Sequence, residues 1–106
     1  MNNDLPEFDK QPHDAVLPYI KSIFAANFVK LEKYEDGHFR AIFKSSYFTL
    51  QEGRTEPSKS QWSTLKKKMK RHNKNVFVFK ETGQIACNPS QVSDTCFYVD
   101  FGFFLY

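Results

Sequence analysis

The chain is poor in the residues that break or cross-link a fold, with four Gly, five Pro and two Cys among 106 residues. So little Gly and Pro excludes a low-complexity or disordered chain. The two cysteines, Cys87 and Cys96, cannot make a four-thiolate zinc site, and no Cys-x-x-Cys pair is present. No apolar run approaches the roughly 18 residues that a bilayer requires. The opening stretch MNNDLPEFDKQPHD is acidic and polar, where a secretory signal would be basic and then apolar. The expectation is a cytoplasmic protein with no membrane partner, whose cysteines are free thiols. Phosphate-binding Gly-rich loops, His-Glu-x-x-His helices and nucleophile elbows are missing as well. No cofactor or metal is therefore expected.

Aromatic residues are plentiful: twelve Phe, five Tyr and one Trp. Such a composition suits a sheet with an aromatic core better than a helical bundle. The length fits one domain able to bury its own core. The first 13 residues lack periodicity and are expected as a flexible lead-in, leaving 14–106 as the domain. From Asp14, expected as an N-cap, Val16, Ile20, Ile23 and Phe24 recur at helical spacing as far as Asn27. The stretch FVKLEKYEDGHFRAIFK then reads as a hairpin. A three-residue loop, Glu35-Asp36-Gly37, is the register that separates apolar from polar side chains, placing Glu32 opposite Arg40 and Tyr34 opposite His38.

Tyr47 to Gln51 is expected as a third strand. A second helix follows, opened by Ser58 and Gln61 at capping-box spacing, carrying the stripe Trp62, Leu65 and Met69, and closed by Asn73 or Asn75. The loop Glu81-Thr82-Gly83 repeats the form of the first hairpin between Val76–Lys80 and Gln84–Asn88. After a turn-rich NPSQVSD, TCFYVDFGFFLY reads as a long final strand. If the chain reverses so that Asn88 meets Thr95, Cys87 comes opposite Cys96 and a disulfide is geometrically allowed. The expected fold is α+β, a curved and mostly antiparallel sheet of five to six strands with two helices, in the order αβββαβββ.

The second helix carries the most specific functional signal. From Ser58 to Lys80 there is no Asp or Glu, whereas exposed helices ordinarily mix signs. At about 100° per residue the basic side chains fan away from the apolar stripe. Lys59, Lys66, Lys67, Lys70, Arg71 and Lys74 are the candidate contacts to nucleic-acid phosphates, which such a patch would grip without reading sequence. The net charge of +3 permits a polyanionic partner. The leading expectation is a small non-enzymatic binding domain that engages nucleic acid or a nucleoprotein through this helix.

Two other classes compete with it. One is a protein-docking or inhibitory module using an aromatic sheet surface. If the final strand lies at an edge, Tyr98 and Phe104 are its candidate contacts and a homodimer is the simplest way to cover them. The other is a small metal-independent ribonuclease built on Glu32, His38 and Arg40, which share one sheet face.

Residues 14 to 73, with Gly37-His38 in the first strand turn and Ser58-Lys59 opening a basic helix, resemble double-stranded-RNA-binding domains in the order helix, three strands, helix. The departures are large. The Ala-rich second helix of that family is missing, the lysines come a turn late, and about thirty further residues form additional strands. No functional residue is carried over from the resemblance.

Overall fold

A computed structural model describes residues 11–50, 52–53, 56–88 and 91–104, apart from the side chains of 80–83, 86–88 and 91–94. Residues 1–10, most of the expected lead-in, lie outside the described residues. The first helix, α1 (His13–Phe24), buries Val16, Ile20, Ile23 and Phe24 on one stripe. The expected cap at Asp14 is not formed. Pro12 holds the N-cap position without a side-chain bond and Asp14 falls in the first turn, where its charge suits the positive helix end. Ala25 ends the helix at φ 51°, its N–H donating to the Lys21 carbonyl. A short 3-10 turn, Ala25–Asn27, feeds the first strand.

The first hairpin has the expected register from Lys30↔Ile42 to Lys33↔Phe39, but the register shifts between Phe28 and Lys30, so that Phe28 stands opposite Phe43. Strands β1 (Phe28–Lys33) and β2 (Phe39–Lys44) pair Glu32 with Arg40 and Lys33 with Phe39. The Tyr34 N–H donates to the His38 carbonyl at 2.9 Å, and the Gly37 N–H to the Tyr34 carbonyl at 3.1 Å. Gly37 has φ 95°, a conformation that a Cβ would strain.

The chain then departs from expectation. In place of a third strand at Tyr47–Gln51, Ser45–Tyr47 make a 3-10 turn, and Phe48 drops into the core against Phe43, Trp62 and Phe97. The reason is topological: the free side of β2 is taken by the final strand, β4 (Gln91–Phe103), from Phe39↔Phe101 to Lys44↔Cys96. The second helix, α2 (Lys59–His72), is capped as its sequence predicts. Ser58 Oγ accepts from the Gln61 N–H at 3.2 Å, and Gln61 Oε1 accepts from the Ser58 N–H at 2.9 Å. Leu65 and Met69 are buried, and Asn73 closes the helix.

The second expected hairpin is also replaced. Residues Val76–Asn88 form one strand, β3, which pairs antiparallel with β4 from Val76↔Phe103 to Asn88↔Gln91. Between Val78↔Phe101 and Thr82↔Val99 the register shifts, so the Gly-containing segment becomes a bulge where a turn was expected. Residues 89 and 90, between the two strands, lie outside the described residues. Ile85, not Cys87, stands opposite Cys96. Cys96 is nonetheless disulfide-bonded and fully buried, against the expectation of free thiols. The Cys87 side chain lies outside the described residues.

The sheet order is β1-β2-β4-β3. The final strand is therefore interior and hydrogen-bonded on both sides, and the argument for a homodimer from an exposed β4 edge falls with that placement. The α+β class, the antiparallel sheet and the two helices are as expected. One sheet face, carrying Leu31, Phe39, Ala41, Phe43, Val76, Phe97, Val99, Phe101 and Phe103, packs with both helices in a single core. Phe24, Phe39, Phe43, Phe97 and Phe101 are fully buried there, each worth about 1.5–3 kcal/mol in apolar burial. Tyr19 ties the helices together by donating its hydroxyl to the Met69 carbonyl at 2.8 Å. Burial drives that phenol well above the ordinary tyrosine range.

Candidate nucleic-acid interface

Rotation about α2 sorts its basic residues among different neighbours. Leu65 and Met69 fix the buried side, so Lys66 and Lys70, one turn apart, lie on the flank toward β3. Lys67 and Arg71 point outward and are exposed. Lys68 takes the opposite flank, where its ammonium donates to the Ile23 carbonyl at 3.1 Å and sits 5.7 Å from the Tyr47 ring centroid. It belongs to the junction between the helices, so the basic residues from Lys66 to Arg71 do not share one flank. Lys74, just past the helix, is exposed. Lys59, also exposed, stands seven residues before Lys66, about 10 Å along the axis. It is an outlier to the compact group.

Among the described residues, none of Lys59, Lys66, Lys67, Lys70, Arg71 and Lys74 pairs with a carboxylate. The ion pairs present are His13–Asp14, Lys30–Glu32, His38–Asp36 and Arg40–Asp100. Helix α2 holds six Lys and Arg and no Asp or Glu, while the whole chain has a net charge of +3. Subtracting the helix leaves −3 on the rest of the chain. Positive charge is thus segregated onto one element. Lys70, Arg71 and His72 in its last turn also meet the negative end of the helix dipole, which accounts for part of the bias but not for Lys66, Lys67 or Lys74.

Between α2 and the sheet edge lies a groove of about 370 Å³, lined by Lys66, Lys70, Val76, Phe77, Val78 and Phe104. Sequence reasoning had no signal for it. Phe77 pairs across the ladder with Gly102, and Phe104 is held by a bond from its N–H to the Asn75 carbonyl at 2.8 Å. Their rings meet edge to face at 5.4 Å between centroids.

The chain matches no family model, no curated protein and no solved structure. The element order resembling double-stranded-RNA-binding domains is not realised either, since among the described residues two strands, not three, separate the helices.

The second sheet face gathers the other candidates. Arg40 donates through Nε and Nη2 to the two Asp100 carboxylate oxygens at 2.8 and 3.0 Å. Its guanidinium lies 4.0 Å from the Tyr98 ring centroid and 5.8 Å from that of Tyr34. Hydrogen bonds from Arg40 to Asp100 raise the guanidinium further above its ordinary value. His38 stacks on Tyr34 at 4.4 Å and bonds Asp36 through Nδ1. Burial disfavours the Asp36 carboxylate, but the His38 backbone N–H and ring outweigh it and hold Asp36 below the ordinary carboxylate range. Glu32 takes contacts from Tyr34 and Lys30, each at 3.4 Å. Glu32, His38 and Arg40 thus share a face but each is turned to a different partner. Tyr98 lies under Arg40, whereas Phe104 lines the groove, six residues or about 20 Å further along the strand. Among the described residues no three His, Cys, Asp or Glu side chains gather to hold a metal, and no helix is long and apolar enough to cross a membrane.

Proposed function

We propose that this chain is a small non-enzymatic binding domain that engages nucleic acid through the outward and β3-facing sides of α2. The observation that carries this reading is the segregation of charge: six cations and no acid on α2 against a net negative remainder. Lys66, Lys67, Lys70, Arg71 and Lys74 form the compact contact group, and Lys59 extends it toward the helix start. Contacts of this kind neutralise phosphates and release counterions, so affinity falls as salt rises. With four or five phosphates met, the slope of log K against log salt is expected at about −3 to −3.5 for a single strand and about −3.5 to −4.5 for a duplex.

Fluorescence anisotropy with a labelled oligonucleotide, titrated over a range of salt, tests the proposal. Replacing Lys66, Lys67, Lys70 and Arg71 by Gln should abolish binding with the circular dichroism spectrum unchanged. Salt-insensitive binding, or none at low salt, would remove the reading.

A further inference from the structure

The groove beside α2 combines two features that a phosphate grip alone does not need. Its lining straddles the β3 edge: Val76 and Val78 face the core, while Phe77, which alternates with them, and Phe104 meet edge to face on the other side of the strand, where Phe77 also touches Phe79. Val76 is buried and Val78 half-buried, so this part of the lining belongs to the core. Its rim is cationic, with the half-buried Lys66 and the exposed Lys70 one helical turn apart. A volume of about 370 Å³ lies at the small end of ligand pockets, enough for a ligand of nucleotide size. A flat π-system joined to a phosphate is the ligand chemistry that fits apolar walls beneath two ammonium groups. In a duplex the base faces are stacked on one another and cannot enter such a groove. In a single strand they can, and base–aromatic stacking is the usual source of sequence-tolerant affinity.

We propose that this groove accepts one base of a single-stranded nucleic acid against Phe77 and Phe104, with the adjoining phosphates on Lys66 and Lys70. The proposal rests on the phosphate-binding reading of α2 and adds to it the form of the nucleic acid. Salt bridges from the rim lysines set the strand's position, and the aromatic wall distinguishes strands that carry exposed bases from those that do not.

The test compares oligothymidylate with an abasic strand of the same length, which keeps the phosphates and lacks the bases. Oligothymidylate should bind at least about fivefold more tightly. Phe77→Leu and Phe104→Leu should each remove most of that preference while leaving affinity for the abasic strand unchanged, with unfolding midpoints measured alongside. In the wild-type protein, oligothymidylate should also shift the ring resonances of Phe77 and Phe104 in NMR spectra, a readout that requires no substitution. Equal affinity for the two strands would overturn the base site and leave the phosphate reading standing, whereas binding to neither at low salt would overturn both. A preference that survives in both Leu variants would place base stacking elsewhere and overturn the assignment to this groove. Shifts of the two rings by an acidic, Phe-containing peptide and not by oligothymidylate would make the occupant a protein and sink the proposal.

Discussion

Asp100→Ala should lower stability by about 1.5–3 kcal/mol, a range set by where the Arg40–Asp100 pair sits between two limits. Fully exposed pairs contribute about 0.2–1 kcal/mol, and breaking a buried one by removing a single partner costs about 3–5 kcal/mol. Here the side chains retain 27% and 14% of their exposure, nearer the buried limit. The geometry is also favourable, with two parallel bonds of 2.8 and 3.0 Å joining residues directly opposite on β2 and β4. Removing Asp100 leaves a guanidinium that cannot shed its charge on a half-buried surface beside Tyr98. Arg40→Ala should cost about 0.5–1 kcal/mol more than removing the pair alone, because the cation over the Tyr98 ring is lost with it. In urea, with m of about 1–3 kcal/mol per M for a small domain, Asp100→Ala should move the midpoint by roughly 1 M at unchanged m. The double-mutant cycle should give a coupling of about 1–2 kcal/mol. Single losses below about 0.5 kcal/mol together with no coupling would mean that the pair behaves as an exposed one, and the view of Arg40 as a brace between strands would be refuted.

Tyr19→Phe should cost about 0.5–1.5 kcal/mol, the net value of its bond to the Met69 carbonyl. Because the folded phenol is raised, Tyr19 stabilises fully below the unfolded value of about 10 and loses that contribution as pH rises above it. Alkaline unfolding curves should therefore be flatter in the Phe variant, and identical curves would contradict the assignment. Thiol labelling of denatured, unreduced protein should find no free cysteine, since Cys96 is disulfide-bonded and the chain holds two cysteines. Two labelled thiols would restore the expectation from the sequence.

What was legible in the sequence was local. The first hairpin is decided within ten residues by Gly37 and a period-2 pattern, and the start of α2 by Ser58 and Gln61, three apart. Both came out as read close to those signals, down to the facing of Glu32 and Arg40, while the hairpin departs at its far end, where the register shifts between Phe28 and Lys30. The second hairpin failed because Glu81-Thr82-Gly83 carries the same local chemistry as Glu35-Asp36-Gly37. The difference lies in the long-range partner: β4 pairs with β3 on both sides of the Glu81-Thr82-Gly83 segment, which is absorbed as a bulge, and keeping that pairing outweighs closing a local turn. The loss of the strand at Tyr47–Gln51 has the same origin, since β4 occupies the side of β2 that a third meander strand would need.

The site follows the same division. Which residues are basic, and that no acid offsets them, is readable from the chain. Which of them can act together is not, because that depends on what each flank of α2 faces. Lys68 and Lys66 are two residues apart, yet one bonds a carbonyl of α1 and the other lines a groove with β3. Arg40 shows the limit from the other side. An inner-strand residue has two cross-strand neighbours, and the sequence offered only Glu32, while the partner that takes the guanidinium, Asp100, is sixty residues away. On the second sheet face Arg40 is matched to Asp100 and Lys30 to Glu32. The cations of α2 have no carboxylate partner among the described residues and are gathered on one element without an acid, and two of them, Lys66 and Lys70, border the groove along its side.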